Sequence, residues 1–190
     1  ISIYSIDNTL KILGFSDKED YIVYNAIAKT IKQIYTFPNI TDYNNLSAID
    51  NIRQIETTSI HVRLGDYTNN PLYQNICDLP FYRKAIQYIL EQTQTKQFFI
   101  FSNDTAWCKI HLSHLLLGTN VVYVDWNKGA DCYRDMQLMS LCHHHIIANS
   151  SFSWWGAWIN EQANTIVVAP KFWINLPNYF SPACKRWITI

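Results

Sequence analysis

The sequence has few glycines, no long apolar run and neither of two common glycine-dependent motifs. Only five of its 190 residues are glycine, and no apolar stretch approaches the roughly 20 residues of a membrane-spanning helix. No G-x-x-x-x-G-K-[ST] phosphate loop occurs, so a P-loop nucleotide site is excluded. No G-x-S-x-G nucleophile elbow occurs either, which disfavours an α/β-hydrolase.

An excess of either charge is also lacking, and the cysteines form no recognisable pattern. The 15 basic residues balance the 15 acidic ones, which disfavours general nucleic-acid binding, although a single nucleotide diphosphate needs only one or two cations. The five cysteines are scattered without a C-x-x-C pair, which argues against a zinc knuckle or a disulfide scaffold. We therefore expect a cytoplasmic protein, and a peripheral contact with the inner membrane face stays open.

Apolar and aromatic residues are plentiful. Hydrophobic residues make up 48% of the chain, enough for a sizeable core, and aromatic residues make up 15%. An aromatic surplus often accompanies sugar binding, but core filling is the preferred interpretation for most of these rings.

The first third of the chain differs in pattern from the rest. A capping box of Ser16 and Glu19, followed by apolar residues at helical spacing, predicts a helix over 17–35. Residues 39–56 are rich in Asn and Asp and are interpreted as a connector with a short helix. The change in pattern divides the chain into a helical segment, 1–56, and a separate domain, 57–190.

From residue 57 onward, short apolar strands alternate with helices. The predicted strands are 58–62, 97–101, 120–124, 145–148 and 165–169, and the predicted helices are 79–93, 104–112, 131–142 and 153–162. Strands that are apolar throughout are typical of a sheet covered on both faces. The pattern predicts an α/β fold with a doubly wound parallel sheet, whose ligands bind beyond the carboxyl ends of the strands.

The first strand ends in a charged segment. Alternation sends His61 and Arg63 to one face, where the Arg63 guanidinium is suited to a phosphate. Gly65 allows a tight bend, and Asp66 can hold the guanidinium or act as a base. The alternative is an ordinary surface ion pair of Arg63 with Asp66.

The next two strands also end in polar residues. The 102–104 segment after the second strand is interpreted as a helix cap. Asp125 follows the third strand and is a candidate for binding a ribose or a guanine edge, while a turn-forming Asp is an equally good interpretation.

The fourth strand leads into the most informative segment, 149–158. Ser150, Ser151 and Ser153 precede or begin a helix whose free amides can bind an anion, and Phe152 is placed to contact a base or ribose. Ser153 is the predicted helix cap. The three tryptophans of this segment are interpreted as core residues. His143, His144 and His145 are adjacent and therefore point in different directions, so we expect no metal site.

Five blocks in this order resemble the bacterial and animal α-1,2-fucosyltransferase family. They are HVRLGDY at 61–67, FSND with WCK at 101–109, YVDWN at 123–127, DMQLMSLCHHHIIANSSFSWWGAW at 135–158 and APKFW at 169–173. Together they cover roughly 58–175, and the long block is highly specific. The resemblance implies a two-domain, GT-B-like architecture. It makes 1–56 the helical remnant or connector of an acceptor-side domain, and 57–190 the doubly wound, nucleotide-sugar-binding domain that binds GDP-fucose. It also implies metal-independent, inverting transfer to the 2-hydroxyl of a galactose-containing glycan, with GDP-fucose as a substrate and no cofactor.

The resemblance also implies residue roles. Arg63 matches an arginine that contacts the β-phosphate of the donor, His61 a histidine near the nucleoside and Asp66 the acidic member of the same motif. Asp125 matches an acidic position that grips guanosine, and 150–152 match the loop around the diphosphate. Leu64 departs from the family, which commonly has a second arginine there. The alternatives are a GDP-sugar-binding module that transfers nothing and another kind of α/β enzyme.

Overall fold

The computed structural model of the chain describes residues 19–34, 36–160, 162–177 and 182–190. The first described helix, α1 (Glu19–Ile34), agrees with the predicted helix, whereas its predicted capping residue Ser16 lies outside the described residues. The second helix, α2 (Tyr43–Gln54), is longer than the short helix expected in the connector. Its amino end is capped by Asp42, whose carboxylate accepts the Asn45 amide at 2.9 Å.

The alternation of strands and helices predicted from residue 57 is confirmed. The remaining helices are α3 (Leu79–Gln92), α4 (Thr105–His111), α5 (Tyr133–Leu141) and α6 (Ser151–Ile159). The strands are β1 (Thr57–Val62), β2 (Gln97–Ser102), β3 (Asn120–Val124), β4 (His144–Ile146), β5 (Val167–Ala169) and β6 (Ile188–Thr189). The last strand was not predicted, because two residues are too short to produce an apolar pattern.

The six strands form one parallel sheet in the order β3-β2-β1-β4-β5-β6. The register pairs Ile60 with Ile100 of β2 on one side and with Ile146 of β4 on the other. This order belongs to doubly wound dinucleotide-binding folds, so the predicted fold class is confirmed. The chain reverses its direction of growth between β1 and β4, which makes their carboxyl ends the expected ligand position.

Both faces of the sheet are covered. On one face α3 and α4 pack on side chains such as Ile60, Ile100 and Ile146, which are fully buried. On the other face α2 and α5 pack on Phe99 and Phe101, while α6 packs on the neighbouring part of the sheet. Because successive side chains of a strand point to opposite faces, and helices cover both faces, most positions of these short strands are apolar.

Helix α2 belongs to this packed unit. Its Ala48 and Ile52 are buried in the same cluster as Phe99 and Phe101. Helix α1 also reaches the unit through Lys32, whose ammonium donates to the Asn160 carbonyl oxygen at 3.2 Å. The division of the chain into 1–56 and 57–190 stays a prediction, although α2 packs directly on the sheet.

The tryptophans of α6 are core residues, as their helical spacing indicated. Trp154 is 1% exposed, its indole N–H donates to the Pro182 carbonyl oxygen at 2.8 Å, and its ring lies 6.0 Å from that of Trp158. Gly156 lies on the side of α6 that meets α5. A Cβ built on it would lie 3.1 Å from the Met139 Cβ, so α5 and α6 approach each other closely at this point.

Gly156→Ala is expected to lower the free energy of unfolding by about 1 kcal/mol. Alanine favours a helix by about 1 kcal/mol over glycine, but the contact with Met139 requires α5 to move, and overpacking of this kind outweighs the propensity gain. Urea unfolding followed by circular dichroism measures the change. An increase in stability would show that the two helices separate without cost.

Candidate active site

A cleft of about 500 Å³ opens at the carboxyl ends of β1, β2 and β3. One wall is the loop from Asp125 to Cys132, and another is the amino end of α6. Four of the residues proposed from the sequence line it, namely His61, Arg63, Asp125 and Phe152. The cleft lies beside the β1–β4 junction, where the topology places a ligand.

Arg63 is held from two sides at the mouth of the cleft. Its Nη2 donates to Asp66, with nitrogen-to-oxygen distances of 3.0 and 3.1 Å, and its guanidinium lies 5.5 Å from the centre of the Tyr67 ring. The Arg63 side chain is 38% exposed and that of Asp66 is 61% exposed. The ion pair considered from the sequence therefore forms. It orients the guanidinium, because Asp66 and the Tyr67 ring hold a planar group that still borders the cleft.

The bend that carries Arg63 depends on Gly65 and Asn103. Gly65 has φ +69°, a conformation that side-chain-bearing residues rarely adopt. The Asn103 Oδ1 accepts the Leu64 amide at 2.9 Å, so the ends of β1 and β2 are tied together. Asp104 caps α4 through the Trp107 amide at 2.9 Å, as predicted, whereas the part that Asn103 plays in the cleft was missed.

His61 is buried on the face of β1 opposite to Val62, as strand alternation predicted. It is 6% exposed, and its Nδ1 has no hydrogen-bond partner in the described part of the chain. Burial, and secondarily the Arg63 charge, lower the pKa of His61 to about 3, so the ring is neutral at physiological pH. The ring lies 5.7 Å from that of Phe152, and both line the cleft.

The amino end of α6 begins at Ser150, not at Ser153. Ser150 occupies the cap position, the Trp154 amide donates to its carbonyl oxygen at 3.0 Å, and its hydroxyl makes no capping bond. The amides of 151–153 precede the first intrahelical bond and are therefore available to an anion. Burial raises the pKa of Tyr67, the residue whose ring lies beside Arg63, and the nearby Ser150 side chain opposes this change.

The prediction that Ser153 caps the helix is wrong. Its side chain is 1% exposed, and its hydroxyl donates to the Ser150 carbonyl oxygen at 3.2 Å inside the helix. Only the main-chain amide of Ser153 is left for a ligand. Ser151 is exposed, and neither its side chain nor that of Ser150 lines the cleft, so the part of these serines in binding stays a prediction.

Two carboxylates border the cleft, and sequence reasoning found only one. Asp125 is 51% exposed and lies 3.9 Å from the Lys109 ammonium. Asp135, in the first turn of α5, accepts the Asn127 amide group at 2.8 Å. Burial raises the pKa of Asp135 to about 6, and the bond from Asn127 opposes this change. Sequence reasoning missed Asp135 because an acidic residue in the first turn of a helix is usually explained by its favourable interaction with the helix dipole and so does not indicate a site.

The three adjacent histidines have separate hydrogen-bond partners. His143 contacts Thr57 at 3.1 Å, His144 contacts Glu56 at 3.2 Å, and His145 contacts the Ser59 hydroxyl at 2.7 Å. Each ring is paired with a different residue. In the described ranges no group of three or more His, Cys, Asp or Glu residues is arranged to hold a metal ion, and no helix there is both long and apolar enough to span a bilayer.

Comparison with known proteins points to one family. The family model for glycosyl transferase family 11 matches residues 14–190. An Escherichia coli α-1,2-colitosyltransferase is 34% identical over 98% of this chain and 64% of its own length. The E. coli O-antigen biosynthesis glycosyltransferase WbnK is 35% identical over 70% of the chain and 44% of its own length. The bovine galactoside 2-α-L-fucosyltransferase SEC1 is 28% identical over 53% of the chain and 27% of its own length. The chain thus spans about two thirds or less of each relative.

Gly65→Ala is expected to weaken GDP binding at least tenfold. A Cβ at residue 65 would lie 3.0 Å from the Asn103 Nδ2 and would strain the bend that positions Arg63. Gly118→Ala is the matched control, because Gly118 has φ +84° and open space around its Cβ position. Both changes cost roughly 1–2 kcal/mol of stability. Calorimetric titration with GDP would contradict the role of this bend if both variants bound equally well.

Proposed function

The chain belongs to glycosyl transferase family 11, and we propose that it transfers fucose from GDP-fucose to a hydroxyl of a galactose-containing glycan. The observation that carries the proposal is that Arg63 and Phe152, which lies in the first turn of α6, line the same cleft. The family and its relatives support fucosyl or colitosyl transfer at the level of the family. The donor, the inverting course and the metal independence are proposals.

The charge developed during transfer explains why these groups are needed. As the bond from the sugar to GDP breaks, negative charge grows on the diphosphate while the fucosyl ring becomes cation-like. In the proposed complex Arg63 and the amides of 151–153 neutralise the diphosphate, and this preorganised set makes a metal ion unnecessary. The acceptor hydroxyl attacks from the opposite side of the ring, which inverts the anomeric centre.

The nucleoside is proposed to occupy the cleft between β1 and the loop from Asp125 to Cys132. Phe152 and the neutral His61 ring supply flat surfaces for the ribose or base, and the unpartnered His61 Nδ1 is free to bond it. Guanine presents two adjacent N–H donors that suit one carboxylate, and both Asp125 and Asp135 border the cleft. Asp135 is the better candidate, because it is less exposed and Asn127 orients it.

The acceptor hydroxyl also requires a base. Asp66 is our proposal, since its exposed carboxylate pairs with Arg63, which lines the cleft. A base from a part of the protein that relatives have and this chain does not span is the alternative.

A GDP-sugar-binding module without transfer activity is the second candidate, because the chain spans 64% of the colitosyltransferase it matches. Leu64 does not favour this candidate. Its side chain packs against the core on the α3 side of the sheet, away from Arg63, so the missing second arginine is a packing difference. Stabilisation by GDP without product formation would identify a binding module. Comparing the rate of transfer from a fucosyl donor with that from a colitosyl donor would identify which sugar the protein transfers.

Arg63→Ala is expected to lower turnover on GDP-fucose and a galactoside at least about 100-fold, because an electrostatic group facing the leaving diphosphate is lost. The assay contains EDTA, since the proposal requires no metal. Arg83→Ala on the exposed side of α3 is the control and should retain activity. Turnover by Arg63→Ala within a few-fold of the unchanged protein, with an unaltered melting temperature, would rule out this role.

GDP is expected to bind more tightly than ADP or UDP, and Asp135→Asn is expected to remove most of that preference. Because the pKa of Asp135 is raised to about 6, the carboxylate is ionised above this pH and protonated below it. The affinity for GDP-fucose should therefore fall as the pH drops through 6, whereas Asp135→Asn should show a flat profile. In the free protein, folding stability depends on pH in the opposite sense. Because the pKa of Asp135 is raised in the folded state, its protonated form stabilises the fold, and this contribution is lost as the pH rises through 6. Equal affinity for GDP, ADP and UDP would contradict the proposal that the donor is GDP-fucose.

A further inference from the structure

Asn45 is a buried polar residue in the first turn of α2, the helix that sequence reasoning treated as a connector. It is 1% exposed, and its side chain is fully paired. Its Nδ2 donates to the Asp42 Oδ2 at 2.9 Å and to the Asn127 Oδ1 at 2.7 Å. Its Oδ1 accepts the Trp126 indole N–H at 2.9 Å and the Asn127 Nδ2 at 3.0 Å.

Asn127 continues this network into the cleft. The two amide groups of Asn45 and Asn127 pair with each other, and the Asn127 Nδ2 also donates to the Asp135 Oδ1 at 2.8 Å. Asn127 and Asp135 both line the cleft, whereas Asn45 does not. A chain of three side chains therefore connects α2 to the carboxylate proposed to bind guanine.

Asn45 and Asn127 also fix the wall of the cleft between residues 125 and 132. This loop contains Gly129 with φ +60° and a single 3₁₀ turn (Gly129–Asp131). Within the loop, main-chain hydrogen bonds form only in that turn, where the Asp131 and Cys132 amides are the donors. The bonds from Trp126 and Asn127 to one buried amide therefore set where the loop lies relative to the sheet.

We infer that Asn45 is a positioning residue of the donor cleft, which fixes the 125–132 loop and orients Asn127 against Asp135. The inference rests on the proposed function and deepens it, because it makes α2 part of the nucleoside side of the site. The competing explanation is that Asn45 only stabilises the packing of α2 on the sheet. Both explanations predict a loss of stability on substitution, so stability alone cannot separate them.

The chain offers controls for both explanations. Asn44 is exposed on the same helix turn, so Asn44→Ala makes the same chemical change without touching the network. Ile52→Val weakens the packing of α2 by one methyl group and leaves the network intact. Trp126→Phe is a milder variant that removes one bond to Asn45 and keeps a ring, should Asn45→Ala fail to fold.

Two measurements test the inference. Hydrogen exchange followed by mass spectrometry reports the order of residues 125–132 without any ligand. Calorimetric titration with GDP-fucose from pH 5 to 8 reports the site, and its esterified diphosphate does not titrate in this range. Asn45→Ala and Trp126→Phe should speed exchange in 125–132 and weaken binding roughly tenfold. Neither control should do so.

The pH profile separates positioning from packing. The bond from Asn127 lowers the Asp135 pKa, so releasing Asn127 should move the midpoint of the binding profile to higher pH. Ile52→Val should not move it even with an equal loss in melting temperature. The other titratable or charged groups that border the cleft or the network are unchanged in these variants, namely His61, Arg63, Asp125, Lys128, Cys132 and Asp42.

Folded Asn45→Ala with normal exchange, affinity and midpoint overturns the inference. A weaker affinity that Ile52→Val reproduces at equal stability also overturns it in favour of packing. If the unchanged protein binds no GDP-fucose, the proposed function and the donor role of Asn45 both fall. Faster exchange of 125–132 in Asn45→Ala alone would then still show that Asn45 fixes the loop.

Discussion

The proposed site depends on bringing a guanidinium and the free amides of a helix to the same cleft. Arg63 follows β1 and the amides of 151–153 follow β4, two strands that are paired in the sheet but separated by more than 80 residues in the chain. The Tyr67 ring lies beside the Arg63 guanidinium, and Phe152 of α6 lines the same cleft as Arg63. The Arg63 guanidinium and the amide N–H groups of 151–153 are both electropositive and repel each other. In the proposed site the rigid sheet must therefore hold them in place until an anion binds.

The cleft has two sides that are built differently. The proposed diphosphate side rests on main-chain geometry at the ends of β1 and β4, supported by Gly65 and Asn103. The proposed nucleoside side rests on side-chain amides, because the loop from Asp125 to Cys132 has few main-chain bonds of its own. Asn45 links that loop to α2, so a helix outside the regular βα alternation takes part in the site.

Much of the chain's polar chemistry is structural. Each of the histidines His143, His144 and His145 satisfies a partner within the fold, and Asn160 pairs with His145 at 2.8 Å. His61 is the contrasting case, since its buried Nδ1 has no partner in the described ranges. Burial alone does not distinguish these residues. A vacant bonding position beside a cleft supports the proposal that His61 binds the ligand.

The sequence by itself determined the alternation of elements, the parallel sheet and the strand ends that carry His61, Arg63 and Asp125, because apolar periodicity and turn residues are local properties. It misplaced the cap of α6, since Ser150 and Ser153 are chemically equivalent and only the helix geometry separates them. The tertiary structure alone revealed Asp135, Asn103 and Asn45. Their roles arise from contacts with residues distant in the chain, and a polar side chain in a helix or turn has no pattern that records such contacts.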